Sequence, residues 1–434
     1  MKYIFFAIVL SGCVMAQSLT LEESLQLGLK NSKDLVISKS KTKYADAKIT
    51  EVGSQMLPQL KFSASYTRLS DVPPFEVIVP FSPSPIKIQD VILNNYSFKL
   101  SLQQPLFTGF RLSSLKNSAE YNYEAANLEY NAAINNYAVQ IYESFWNFYN
   151  SQQIAVLIKE QLISINQHLA DTKNFLDNGL ATMNDVLKLE VQYSSLELKL
   201  IEAESNLDLA RINFNRVIGL ELDASPELKV NEINPLPEKF LISDLLLEAN
   251  KNRDEIKSIS NRVKASDELV SAANAGWFPS IYLFGNAYYN NPNQRIMPIK
   301  NEFKDSWDAG VTLNWDLWNW GYTSSQTTQA EEIKLQTETN LAQLKESIEI
   351  EVTREYLNYV KSIKKVEVAR KSVEQADENY RLTKEKYNSQ VASSSDLIDA
   401  QTYQLEAETN LISALVGFQI SKVKLERATG RKIY

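Results

Sequence analysis

The chain has 434 residues, among them 12 glycines, 13 prolines, one cysteine and one histidine, and a formal net charge of −8. Glycine and proline stand at about half their ordinary share, too few turn formers for the three compact domains that the length would suggest at roughly 150 residues each. Disorder is excluded by an apolar content of 44%, a disulfide scaffold by the single Cys13, and a nucleic-acid binder is disfavoured by the negative charge. With His168 as the only histidine, a zinc cluster is nearly excluded, and neither a metal nor a cofactor is expected.

Lys2 and the apolar run Ile4–Leu10 read as an export signal, because the run is far shorter than the roughly 20 residues that span a bilayer. Two cleavage schemes stay open. Val14-Met15-Ala16 suits cleavage after residue 16, making 1–16 the signal; Leu10-Ser11-Gly12-Cys13 resembles a lipobox, making 1–12 the signal and Cys13 a lipidated first residue. No later segment supplies a membrane-spanning helix, so any crossing must use β-strands.

The rest of the chain is one unit used twice. Asn31-Ser32-Lys33-Asp34-Leu35 matches Asn252-Arg253-Asp254-Glu255-Ile256, and Leu57-Pro58-Gln59-Leu60 matches Phe278-Pro279-Ser280-Ile281, both 221 positions apart. Leu106-Phe107 and Leu317-Trp318, Asp185 and Asp396, and Gly219 and Gly430 are 211 apart. The copies are assigned to 17–219 and 220–434. The ten extra residues of the first copy fall among Pro73, Pro74, Pro80, Pro83 and Pro85, a surface loop.

Each copy reads helix, strand, loop, strand, very long helix, tight turn, helix. Copy one opens with a helix over 20–56, then strands over 59–69 and 95–105. In the second strand, Tyr96, Phe98, Leu100 and Leu102 alternate with Ser97, Lys99, Ser101 and Gln103. A run free of glycine and proline from Arg111 to Asn178 predicts a helix of about 100 Å at 1.5 Å per residue. A turn, a helix over 183–218 and Gly219 as its terminator follow. Copy two repeats this with strands over 280–290 and 307–317, a long helix over 322–388 with a coiled-coil-like stripe, and Gly430 at the end. Strands of ten or eleven residues with one apolar face suit a transmembrane barrel, although a half-buried sheet of a soluble protein would alternate in the same way. Five of the six tryptophans lie between Trp277 and Trp320, and Trp318, Trp320, Phe107 and Phe110 sit at strand-to-helix junctions where an interfacial aromatic belt would lie. Four strands cannot close a barrel, and lipid does not tolerate open edges, so copies of the chain must share one.

The motifs Leu19-Thr20-Leu21-Glu22-Glu23, Leu57-Pro58-Gln59-Leu60, Gln104-Pro105-Leu106-Phe107-Thr108-Gly109, Asn178-Gly179-Leu180-Ala181-Thr182 and Ser393–Ala400, in this order and duplicated, make the chain resemble the outer-membrane efflux proteins, the TolC-like channels. The resemblance implies a mainly α fold with a small transmembrane β-barrel. It implies a homotrimer with a twelve-stranded barrel in outer-membrane lipid and a long α-helical coiled-coil barrel in the periplasm. It further implies a passive exit duct for efflux or type I secretion, working with a periplasmic adaptor (membrane fusion) protein and an inner-membrane pump. The alternative is a structural periplasmic coiled-coil protein without a pore. No catalytic set is visible, and the chain is expected not to be an enzyme; His168 lies inside a helical pattern and suits packing.

The turn after each long helix has the form of a capping box, Thr182 with Asp185 and Ser393 with Asp396. Asp399 sits one turn beyond Asp396 on the same face and needs another reason. In the family, acidic residues at the positions of Asp396 and Asp399 line the pore constriction, and residues at the positions of Tyr387 and Asp185 make polar links that hold the entrance closed. The basic partner of such a link is missing here, since Ala392 occupies its place and Gln390 stands where glycine is usual. Hydrogen bonds from Ser393, Ser394 and Gln390 would replace it.

Overall fold

A computed structural model describes residues 18–81, 83–89, 91–231, 233 and 238–434. The export signal, with Cys13, lies outside the described residues. In chain order the elements are β1 (Ser18–Leu19), α1 (Leu21–Asn31), α2 (Lys33–Ser54), β2 (Gln59–Arg68), β3 (Phe75–Val77), β4 (Ile86–Gln89), β5 (Asn94–Phe107), α3 (Arg111–Asp177), α4 (Met183–Ile218), β6 (Glu227–Leu228), α5 (Ile242–Asn252), α6 (Asp254–Asn274), β7 (Ser280–Asn291), β8 (Lys304–Asn314), α7 (Tyr322–Asn388) and α8 (Ser394–Ala428). The strand-helix unit is duplicated. The two long helices have 67 residues each and begin and end within a residue of the expected bounds.

The expected single helix over 20–56 is two helices. Ser32 takes an extended backbone (φ −62°, ψ 118°), and its hydroxyl accepts from the Leu35 amide at 3.2 Å, so it terminates α1 and caps α2. The equivalent Arg253 breaks copy two in the same conformation (φ −59°, ψ 117°). The motif that anchors the repeat is therefore a helix break. The strand expected over 307–317 also shifts, to Lys304–Asn314. Asn293 holds the start of β8 by donating to the Lys304 carbonyl at 3.1 Å and to Ser306 at 3.1 Å. At the other end the Trp315 indole donates to the Trp277 carbonyl at 3.2 Å, which takes Trp315 out of the ladder. The remaining strands run 59–68, 94–107 and 280–291 instead of 59–69, 95–105 and 280–290.

The chain forms two compact units. One comprises Met1–Lys39, Leu128–Ile256 and Gln343–Tyr434. Its core gathers Ile141, Phe145 and Phe148 of α3, Phe214 and Ile218 of α4 and Val416 of α8. A second cluster joins Ile158 and Ile165 of α3 to Leu189 and Leu196 of α4 and Leu405 of α8. Each such large apolar side chain contributes about 1.5–3 kcal/mol by burial. Both copies close the helix break with the glycine after the last helix: a Cβ on Gly219 would stand 2.5 Å from that of Asn31, and one on Gly430 would stand 2.9 Å from the Arg253 nitrogen. Both glycines are left-handed, with φ 78° and 79°, so glycine is required twice over.

The other unit comprises Ser40–Asn127 and Lys257–Ala342. It holds a four-stranded antiparallel sheet in the order β2-β5-β7-β8. The register puts Phe62, Leu100, Ala287 and Trp307 in one row, and Lys61, Ser101, Asn286 and Asp308 in the next. Apolar and polar side chains are thus sorted to opposite faces. On β8 the apolar positions Trp307, Ala309 and Val311 are exposed, while the intervening Ser306, Asp308 and Gly310 are half-buried. Phe62 is 69% and Trp307 76% exposed. A soluble sheet buries its apolar face, and this one presents it outward. Among the described residues no helix is long and apolar enough to cross a membrane.

Candidate functional site

The two tight turns lie in the first unit and are built alike. After α3, the Leu180 amide donates to the Phe175 carbonyl at 2.8 Å; after α7, the Val391 amide donates to the Lys386 carbonyl at 2.8 Å. Each turn needs one left-handed residue. Gly179 supplies it in copy one (φ 72°), and Gln390 supplies it in copy two (φ 62°).

Both turns then enter a capping box. The Asp185 carboxylate accepts from the Thr182 amide at 3.0 Å and from the Thr182 hydroxyl at 2.6 Å. Asp396 accepts from the Ser393 amide at 2.9 Å and from the Ser393 hydroxyl at 2.7 Å. In return the hydroxyls of Thr182 and Ser393 accept the amides of Asp185 and Asp396. These bonds hold the carboxyl of each aspartate below its ordinary range: chiefly the Thr182 hydroxyl for Asp185, chiefly the Ser393 amide for Asp396. Both therefore stay ionised in any mildly acidic compartment. Asp399 is exposed, and among the described residues it has no hydrogen-bond partner.

Asp185 also receives a hydrogen bond from Ser394, and Lys188 lowers its carboxyl further. The Lys188 ammonium donates to the Ser395 hydroxyl at 2.8 Å. One turn on, Gln192 donates to Thr402 at 3.5 Å. The starts of α4 and α8 are thus laced together by side chains. Lys188 was missed in the sequence, although its place three residues after Asp185 on the same helical face was a usable signal. The position 392 lacks a cation, and Lys188 brings one to the neighbouring helix.

Tyr387 is placed away from this group. It is buried, and its hydroxyl lies 2.5 Å from that of Thr172, which donates to the His168 carbonyl at 2.8 Å. The tyrosine must therefore be the donor to Thr172. Seven residues earlier the Tyr380 hydroxyl lies 3.1 Å from Nε2 of His168. His168 itself is 4% exposed. Burial and the charge of Lys384 depress its pKa, and Asp171 partly opposes them. The two tyrosines clamp α7 to α3 within the chain. The turns accordingly bring together Thr182, Asp185, Ser393 and Asp396, with Asp399 one turn beyond Asp396, while Tyr387 serves a separate helix pair.

The model of the family described as "Outer membrane efflux protein" matches residues 24–220 and again 245–431. The chain belongs to the outer membrane efflux protein family. It is accordingly an outer-membrane protein with helical parts of periplasmic length. It is 22% identical over 424 residues to the outer membrane protein TolC of Vibrio cholerae, covering 97% of this chain and 92% of the relative. It is 22% identical over 329 residues to the alkaline protease secretion protein AprF of Pseudomonas aeruginosa, covering 71% and 65%. Among solved structures, the Campylobacter jejuni CmeC outer membrane channel superposes with a TM-score of 0.80 at 18% identity, covering 94% of this chain and 85% of that one. The open-state Neisseria gonorrhoeae MtrE channel superposes with a TM-score of 0.76 at 17% identity, covering 95% and 89%. The fold is that of an efflux-protein channel, a family of conduits and not of enzymes.

Proposed function

We propose that the chain is the outer-membrane exit duct of a tripartite efflux or type I secretion system. Three copies close a twelve-stranded barrel, and substrate handed over by an inner-membrane pump and a periplasmic adaptor passes through it without an energy source of its own. The copies meet the rest of the assembly through stripes such as Val191, Leu198 and Leu209 of α4, all more than 60% exposed. Asp396 and Asp399 of three copies would set six carboxylates around one axis, a ring that concentrates cations and repels anions.

The observation that carries this reading is the joint between the two halves. β5, the second strand of copy one, pairs antiparallel with β7, the first strand of copy two. By the same repeat, β8 is the second strand of copy two, and β2 is the first strand of copy one. Their outer edges are the two free edges of the sheet. The joint seen once within the chain is what closure would repeat between chains. Its register transfers as well. Leu102 faces Gly285, and shifting these by the repeat offsets sets Leu313 against Ala64 of a second copy, both on the apolar face. Oxidation of a Leu313→Cys/Ala64→Cys variant in outer membranes should produce covalent oligomers up to a trimer. Neither single variant should do so. Monomer alone under oxidising conditions would refute the shared barrel.

A further inference from the structure

The polar face of the sheet carries a charge pattern that channel closure does not require. Its charged side chains are Lys61 on β2, Lys99 on β5, and Lys304 and Asp308 on β8. Arg295, from the segment between β7 and β8, reaches over the same face to pair with Asp308. Lys304 pairs with Glu302 at 3.7 Å. These four charges cancel. Lys61 and Lys99 have no acidic partner among the described residues. The Lys99 ammonium stands 5.5 Å from the centre of the Tyr288 ring, and the Arg295 guanidinium stands 4.9 Å from the same centre. The ring therefore already satisfies one cation when it meets the second.

The register makes the two lysines diagonal neighbours, because Lys61 faces Ser101 and Lys99 faces Ser63. Diagonal positions on adjacent strands are about 7–8 Å apart, inside the screening length of physiological salt. At that distance two ammonium groups repel each other. Protection of a sheet edge against wrong pairing would account for Lys61 on the edge strand, but not for Lys99 on an inner one. Ser63 and Ser101 fill the remaining corners. Two ammonium groups without a carboxylate partner among the described residues, framed by hydroxyls, are the chemistry of an oxyanion site.

We propose that the polar face of the sheet is an anion-binding surface, centred on Lys61 and Lys99, that engages carboxylate- or phosphate-bearing solutes. Lys61 is exposed and Lys99 half-buried, and both lie opposite the apolar face, so the occupant is a soluble anion and not a membrane lipid. Its role as a station for anionic cargo within a lumen rests on the exit-duct reading; the binding itself does not. The sheet would then favour the charge that the carboxylates of Asp396 and Asp399 disfavour.

The test is calorimetric titration of inositol hexakisphosphate into the full-length protein, extracted from outer membranes in a neutral detergent, with bilayer conductance recorded in parallel. Expected are binding that weakens with added salt, a loss of at least tenfold in affinity in Lys61→Gln/Lys99→Gln, and retained binding in Lys61→Arg/Lys99→Arg. Lys48→Gln, on α2 and paired with Glu51, should bind as wild type. No binding by the wild type, or equal binding by the double glutamine variant, overturns the proposal. Lysine-dependent binding without any conductance would leave this site standing and sink the exit duct.

Discussion

Arg431 grips Glu248 through two parallel hydrogen bonds of 2.9 and 3.0 Å. The same two positions in copy one are Leu220 and Leu27, which both pack against the apolar core of the first unit. The duplicated positions have thus kept their place beside the core while exchanging apolar side chains for charges. The pair is partly exposed, where an ion pair contributes modestly and an apolar pair often serves as well. Glu248→Leu/Arg431→Leu should therefore melt within about 1 kcal/mol of wild type. Each single change breaks the pair and should cost about 1 kcal/mol, softened for Glu248→Leu because Glu426 and Glu238 still attract Arg431. A double-mutant cycle by thermal unfolding measures the coupling.

The turns offer a matched pair of backbone tests. No atom lies within 4 Å of a Cβ placed on Gly179, so Gly179→Ala reports only the left-handed backbone and should cost about 1 kcal/mol. Gln390 bears that cost already, and Gln390→Gly should recover part of it, less the extra freedom of the unfolded chain. Gly219→Ala meets Asn31 in addition and should be the most damaging of the three. Denaturant midpoints of the three variants give the ranking directly.

His168 ties stability to pH. Its folded pKa lies below the unfolded value near 6.5, so the unfolded chain takes up a proton first. The contribution is present above about pH 6.5 and is lost as the pH falls through the lowered folded pKa. Wild-type melting temperature should drop between pH 7.5 and 5, and His168→Asn should show a smaller drop. A variant whose pH profile parallels the wild type would assign the drop to other groups.

Asp396 and Asp399 should separate in function. Asp396→Ala removes a cap and a charge, so both the melting temperature and the cation preference of the pore should fall. Asp399→Asn removes an unbonded exposed charge, so the reversal potential in a salt gradient should move toward anions with no change in melting. Equal melting losses in both variants would mean that Asp399 has a structural contact.

The long helices, the helix over 183–218, both turns and the order of strands were legible because period, missing breakers and capping residues are local signals. The break at Ser32 was not, because serine is tolerated inside a helix; the break is seated against the end of α4, where Asn31 donates to the Ile218 carbonyl at 3.2 Å and Gly219 leaves room for it, a contact distant in sequence. Alternation could not say which face of the strands meets solvent, since membrane and soluble sheets share it. Exposure of Trp307 beside a half-buried Asp308 decides that. At the turns, the capping aspartates were visible from spacing alone. The Lys188–Ser395 and Tyr387–Thr172 bonds were not, because each depends on which helix lies alongside, a relation that only folding creates.

The free edges of β2 and β8 bear on how such a protein is made. A lone chain in lipid would expose two rows of amide and carbonyl groups, each costing several kcal/mol, so insertion and association must proceed together. Stability then depends on protomer concentration, and a chain left without companions is a substrate for proteases or a seed for aggregation. A cell that made too few copies at one place would accumulate misassembled strands, not half-built pores.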